Sequence, residues 1–205
     1  MIVIVDYQMG NLRSVQKALE RLGHAALVTD RAEQVATAER IILPGVGAFE
    51  DAMQALGERD LVEPIRDAAA AGRPLLGICL GMQLLFERSY EDGEHEGLGL
   101  FQGEVVRFEL PRQFKVPHMG WNQVDPAGTT PLLDEIPAGS HFYFVHSYYV
   151  APSEVTDIAA TTDYGGAFCS VVARDNLFAT QFHPEKSQHH GQLILRNFVE
   201  RCGAA

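Results

Sequence analysis

The chain has 205 residues with 27 acidic and 16 basic side chains, a formal net charge of −11 and no basic cluster, which excludes nucleic acid and an anionic membrane surface as partners. A chain of this length buries about 70% of the surface its unfolded form exposes, enough for one core without staples, so a single domain over 1–205 is expected. No apolar run approaches the ~20 residues of a membrane span, and residues 1–6 lack the basic lead and long apolar stretch of a signal peptide, which points to a cytoplasmic protein.

Residues 2–5 form a continuous apolar run of strand length, and Leu12, Val15, Leu19 and Leu22 give a helical stripe that stops at Gly23. Strand-like runs follow at 25–28 and 41–43, then an acidic helical stretch at 60–71 closed by Gly72, a strand at 75–78 and a helix at 80–87. Short all-apolar strands alternating with helices predict a parallel sheet covered on both faces. From 104 to 182 the chain turns β-rich, with strand-like pieces at 105–106, 142–150, 171–172 and 178–182, before a last helix at 189–200. Residues 113–122 and 125–139 read as surface loops. The expected fold class is therefore α/β, a three-layer open and mostly parallel sheet flanked by helices, with antiparallel strands added in the second half.

Chemistry concentrates at two places. In Gly77-Ile78-Cys79-Leu80-Gly81 one cysteine stands between glycines where a strand turns into a helix, the layout of a nucleophile elbow. A thiol there faces unpaired N–H groups and the positive end of the helix, both of which favour thiolate. The competing reading is a small buried apolar residue. Near the other end, His183-Pro184-Glu185 puts an imidazole and a carboxylate two positions apart, on one face if the segment is a strand. Pro184 implies an edge or strand-end position where side chains meet solvent. Taken singly, His183 reads as a structural histidine and Glu185 as a solvated charge. Together with Cys79 they supply a nucleophile, a base and a group that orients the base.

Lesser signals accompany these. Pro44-Gly45-Val46-Gly47 follows a strand, and the N–H groups of Val46 and Gly47, with that of Leu80, are candidate donors to an oxyanion; the alternative is an ordinary glycine turn. Gln83 lies one helical turn beyond Cys79, placed either to hydrogen-bond an amide substrate or to pack against a backbone carbonyl. Cys79, Cys169 and Cys202 are an odd set without short paired spacing, which indicates neither a disulfide framework nor a zinc site. No cofactor or metal is called for.

The Gly-x-Cys-x-Gly elbow followed by His-Pro-Glu resembles the class I (triad) glutamine amidotransferases. Four further segments, 6–15, 43–49, 117–122 and 144–148, resemble those of the glutaminase subunits of imidazole glycerol phosphate synthases, so the likeness runs through nearly the whole chain. It implies hydrolysis of L-glutamine by Cys79, His183 and Glu185, with Gly47, Gln83, Glu96 and Ser147 around the substrate and Glu96 facing its ammonium group. It also implies a heterodimer with a cyclase subunit of (β/α)8-barrel type, which consumes ammonia to make imidazole glycerol phosphate and an aminoimidazole carboxamide ribotide in histidine biosynthesis. Met119, Trp121 and Asn122, with Asn11 and Arg13 at the start of the first helix, are the expected contacts, Trp121 having a core position as its alternative. Gln8 departs from the pattern, standing where glycine is expected. The other readings are a stand-alone γ-glutamyl hydrolase, the glutaminase subunit of a different ammonia-using synthase, and a non-catalytic binding subunit that has kept the fold.

Overall fold

A computed structural model describes residues 1–203. In chain order they form β1 (Ile2–Val5), α1 (Leu12–Arg21), β2 (Ala26–Thr29), α2 (Ala32–Ala36), β3 (Arg40–Gly45), α3 (Phe49–Gly57), α4 (Val62–Ala70), β4 (Leu75–Cys79) and α5 (Leu80–Leu84). The second half continues with β5 (Phe86–Ser89), β6 (His95–Glu96), β7 (Phe101–Arg107), β8 (His118–Pro126), β9 (Ser140–His146), β10 (Tyr148–Pro152), β11 (Ile158–Asp163), β12 (Ala167–Arg174), β13 (Leu177–Thr180) and α6 (Gln188–Glu200).

The main sheet runs β2-β1-β3-β4-β13-β12-β11-β8-β9. Pairings from β2 through β13 are parallel, and those from β13 outward to β9 are antiparallel. The central parallel strands β1, β3 and β4 are apolar apart from Arg40 at the start of β3, because both of their faces are covered. Val3, Val5, Ile41 and Leu43 pack with Val35, Phe49, Leu56 and Ile65 of α2–α4, while Ile2, Ile4 and Ile42 pack with Val15 and Leu19 of α1 and Ile194 and Phe198 of α6. Each fully buried Leu, Ile or Phe contributes roughly 1.5–3 kcal/mol of apolar transfer. The three-layer α/β expectation is met, antiparallel extension included.

Several expectations are corrected. The helix after Cys79 ends at Leu84, not 87: the carbonyls of Leu84 and Leu85 take the N–H groups of Leu98 and Leu100, each at 2.8 Å, so the chain leaves the helix and enters β5. β5 joins β6, β7 and β10 in a separate four-stranded sheet that the sequence did not disclose. The strand-like piece 142–150 is two strands broken at Ser147, β9 in the main sheet and β10 in the small one. Residues 118–126, all but 123 and 124 of which read as loop, are β8, which pairs with β9 from His118↔His146 to Val124↔Ser140. Helices α2 and α3 were not foreseen, although Phe49, Ala52 and Leu56 form a buried stripe.

Candidate active site

β3, β4 and β13 are adjacent and parallel, so their carboxyl ends open on one edge of the sheet, where ligands of open α/β folds bind. The chain leaves those ends at Val46, Cys79 and Gln181. Cys79 sits at the N-terminal cap of α5 with φ +56° and ψ −109°, a left-handed conformation that costs a non-glycine residue about 1–2 kcal/mol. Its surroundings allow that turn only with glycines. A Cβ on Gly77 would lie 2.7 Å from the Gly81 carbonyl oxygen, and one on Gly81 would collide with the carbonyl oxygen of Leu43. A Cβ on Gly45, which pairs with Cys79 across β3 and β4, would strike the Tyr7 hydroxyl. Tyr7 is buried and donates to the Pro44 carbonyl at 2.8 Å.

His183 and Glu185 do not share a strand face. β13 ends at Thr180, and Pro184–Lys186 is a 3₁₀ turn for which His183 is the cap. Pro184 has no N–H for a ladder, so the turn begins there. His183 is pinned by its own N–H to the Tyr143 carbonyl (2.9 Å) and by the Ser187 hydroxyl donating to its carbonyl (2.6 Å). Nor does the pair meet solvent: the two side chains are 2% and 1% exposed, with His183 Nδ1 2.9 Å from Glu185 Oε1. Burial lowers the imidazolium's affinity for its proton, but the Cys79 sulfur and the Glu185 carboxylate outweigh it and hold His183 up at about 10. Nδ1 is committed to Glu185, while Nε2 has no hydrogen-bond partner among the described residues.

Cys79 and His183 line one cleft of about 280 Å³ with Val46, Gly47, Leu80, Gln83 and Ser147. Among the donors expected for an oxyanion, the Leu80 N–H opens α5 and has no helical acceptor. The Val46 N–H is spent on the Met9 carbonyl at 3.2 Å, and Gly47, at φ +103°, lies so close to Met9 that a Cβ would come within 2.7 Å of its methyl. Gln83 directs Nε2 to the Tyr148 carbonyl (3.0 Å) and to Gln181 Oε1 (3.2 Å), so both amide hydrogens are committed within the fold.

Glu96 is exposed in β6 and is not among the residues of this cleft; Glu91 is. Its Oε2 accepts the Phe49 N–H at the start of α3 (2.8 Å), and burial raises its carboxyl above the usual range. Glu91 lay in the same acidic run of sequence as Glu96, and only the path of 89–97 separates them. His146, Tyr148 and Pro117 also line the cleft and carried no sequence role. Met119 and Trp121 of β8 are 63% and 47% exposed, so Trp121 is not a core residue. Asn122 is half-buried beside them, donating to the Asp163 carbonyl at 2.8 Å. Asn11 caps α1 and Arg13 is exposed in its first turn. Gln8 has φ +67°, the left-handed region that glycine enters freely, which accounts for glycine being expected there.

The family model for glutamine amidotransferase class-I matches residues 3–202. The chain belongs to the class-I glutamine amidotransferases. Within that family it is 60% identical over 199 residues to imidazole glycerol phosphate synthase subunit HisH of Rhodopirellula baltica, covering 97% of each chain. Its identity to the HisH subunit of Syntrophotalea carbinolica is 55%, over 97% of this chain and 98% of the other. Among solved structures, a glutamine amidotransferase superposes with TM-score 0.76 at 22% identity over 98% of both chains. PurLQS from Thermotoga maritima also gives 0.76, at 20% identity over 97% of this chain and 96% of that one. At such identities these structures establish the shared fold.

Proposed function

We propose that this chain is the glutaminase subunit of an imidazole glycerol phosphate synthase, hydrolysing L-glutamine to glutamate and ammonia for histidine biosynthesis. The observation that carries the reading is the strained Cys79 elbow opening into the same cleft as the buried His183–Glu185 pair. The Cys79 sulfur attacks the side-chain carbonyl of glutamine, and the oxyanion forms against the N–H groups of Leu80 and of Gly47 or Val46. His183 Nε2 gives its proton to the departing nitrogen, and ammonia leaves. Water, deprotonated by the same nitrogen, then hydrolyses the γ-glutamyl thioester and restores the sulfur. Because the Val46 N–H is bonded to Met9, that donor is available only after the Pro44–Gly47 backbone turns, and the lack of one such donor raises the barrier by roughly 3 kcal/mol. Gly47, Gln83 through its Oε1, and Ser147 surround the substrate, and Glu91 rather than Glu96 meets its ammonium group.

Ammonia released into water is protonated and lost, so the product calls for a partner that receives it directly. We infer a heterodimer with a (β/α)8-barrel cyclase, docked on exposed Met119 and Trp121 with Asn122, Asn11 and Arg13 nearby. One domain and a cytoplasmic location belong to the same reading. The test is glutamate release by the chain alone, with a cyclase subunit, and with that subunit plus its ligand. Release that rises on mixing and again with ligand supports the assignment; full activity on γ-glutamyl peptides by the chain alone replaces it with a stand-alone hydrolase. Cys79→Ala should fold and dock yet release no glutamate, and retention of most hydrolysis would remove Cys79 as nucleophile.

A further inference from the structure

Gln181, the residue that leaves β13 just before the catalytic turn, is fully buried, and its Nε2 stands 3.8 Å from the Cys79 sulfur. Which end of that carboxamide faces the sulfur follows from the network behind it. The Tyr148 carbonyl is an obligate acceptor, so the Gln83 atom 3.0 Å from it is Nε2. The same Nε2 lies 3.2 Å from Gln181, which therefore presents Oε1 to it. That leaves Nε2, a donor, directed at the sulfur.

The node is held from a second side. His146 Nδ1 is 2.8 Å from the Tyr148 carbonyl and so carries a hydrogen. Its Nε2, 2.9 Å from His118 Nδ1, is then the acceptor, and His118 Nε2 accepts from Asn122 Nδ2 at 3.2 Å. Asn122 is oriented in turn by the carbonyl of Asp163, again an obligate acceptor. Each hydrogen bond in this network has a fixed direction, and its two arms meet at the Tyr148 carbonyl, which accepts from both His146 and Gln83.

We propose that the Gln181 carboxamide is a hydrogen-bond donor to the Cys79 thiolate, and that Gln83 is the positioning residue that fixes its orientation. The inference rests on Cys79 being the nucleophile. When the sulfur carries its hydrogen, the Val145 carbonyl at 3.9 Å is the acceptor it faces; when that hydrogen leaves, Gln181 supplies a donor already in place. A donor to a charged group contributes more than one between neutral groups, enough to change a thiolate population about tenfold.

The test is the rate of Cys79 alkylation by iodoacetamide against pH, read by mass spectrometry on the isolated chain without glutamine or partner. Cys169 and Cys202 are buried, and burial pushes both thiols up to about 12, so they stay silent. Gln181→Met keeps the volume and removes the donor. The expected result is an alkylation rate about tenfold lower at pH 7, recovering toward the wild-type rate at alkaline pH as thiolate is restored. The other titratable groups around the sulfur, His183 with Glu185, Tyr7, His146 and Glu91, are common to both proteins. A profile that superposes on the wild type, or a rate lowered equally at every pH, overturns the proposal, since a merely structural role alters access and not thiolate fraction. Should Gln181→Met fail to fold, Gln83→Met, which leaves the sulfur's own contacts untouched, carries the test, with a several-fold loss at pH 7 expected and an unchanged profile fatal. Because alkylation needs no glutamine, this outcome is separate from that of the glutaminase assay.

Discussion

The two sides of the cleft are built on opposite principles. The side that holds Cys79 is backbone against backbone: Gly45, Gly77 and Gly81 bring β3, β4 and α5 together so closely that a single methyl has no room. The side formed by β8, β9 and β10 is made of rings. His118 stacks between Phe144 and Tyr164 at centroid distances of 4.9 and 4.0 Å, and His146 lies 5.2 Å from both Phe108 and Phe168. The first side holds the nucleophile by leaving no alternative conformation, the second by directed hydrogen bonds in a dry surrounding. They should therefore fail differently, one to added volume and the other to added charge.

The largest effect expected is on the backbone side. Gly81→Ala puts a methyl into the Leu43 carbonyl, and neither element can retreat because β3 and β4 are paired from Ile41↔Leu75 to Gly45↔Cys79. A loss of more than about 4 kcal/mol is expected, measured by urea unfolding. A variant as stable as the wild type would show that this close packing does not hold the elbow.

The ring side should break in acid. Burial lowers the His118 imidazole from its ordinary 6.5 to about 4, and burial, with His118 and His183 adding to it against the Tyr148 carbonyl, lowers His146 to about 3. Both rings are neutral when folded, whereas the unfolded chain takes up protons below about 6.5. The stability they secure is thus present above pH 6.5 and is lost as the pH falls toward 4, on the order of 2 kcal/mol for each ring. His118→Phe should be less stable at pH 7 but lose less between pH 6.5 and 4. Equal slopes of melting temperature against pH would place the acid sensitivity elsewhere.

A smaller effect, about 1 kcal/mol, is expected for Tyr7→Phe, which leaves the Pro44 carbonyl without the hydroxyl that donates to it. Because Pro44 begins the segment that must present oxyanion donors, glutamate release should fall several-fold alongside stability. Stability lost with full turnover retained would separate this hydroxyl from the Pro44–Gly47 backbone.

The contrast also explains what the sequence could tell. Close backbone approach has a residue signature, glycine, and so the Cys79 elbow and the Pro44 turn stood out in the string. The pairing of His183 with Glu185 was legible as chemistry but not as geometry, since Pro184 makes a turn where a strand was expected. The ring side had no local signature. His118 and His146 lie on β8 and β9 and Tyr164 in the turn between β11 and β12, and their order in space depends on β8 pairing with β9 and on the chain breaking at Ser147. Glu91 and Glu96 sit in one acidic run, and nothing in their neighbours says which side of the small sheet each will occupy. Gln181 carries no signal of its own, because a glutamine at the end of an apolar strand reads as an isolated polar residue until its partners, Gln83 and Cys79, are brought to it from about a hundred residues away.

The smallest effect tests whether the Gly81 argument concerns space or merely the loss of glycine. Gly57 ends α3, is exposed, has no positive φ, and has nothing among the described residues within 4 Å of where its Cβ would stand. Alanine there lowers the entropy of the unfolded chain and meets no obstacle when folded, so Gly57→Ala should raise stability by about 0.5 kcal/mol. The same chemical change thus carries opposite signs at two helix positions in one protein, stabilising at a free helix end and disrupting under the nucleophile. If Gly57→Ala proved as damaging as Gly81→Ala, the cost would lie in replacing glycine within helices and not in the fit of α5 against β3, and the backbone side of the cleft would lose its physical basis.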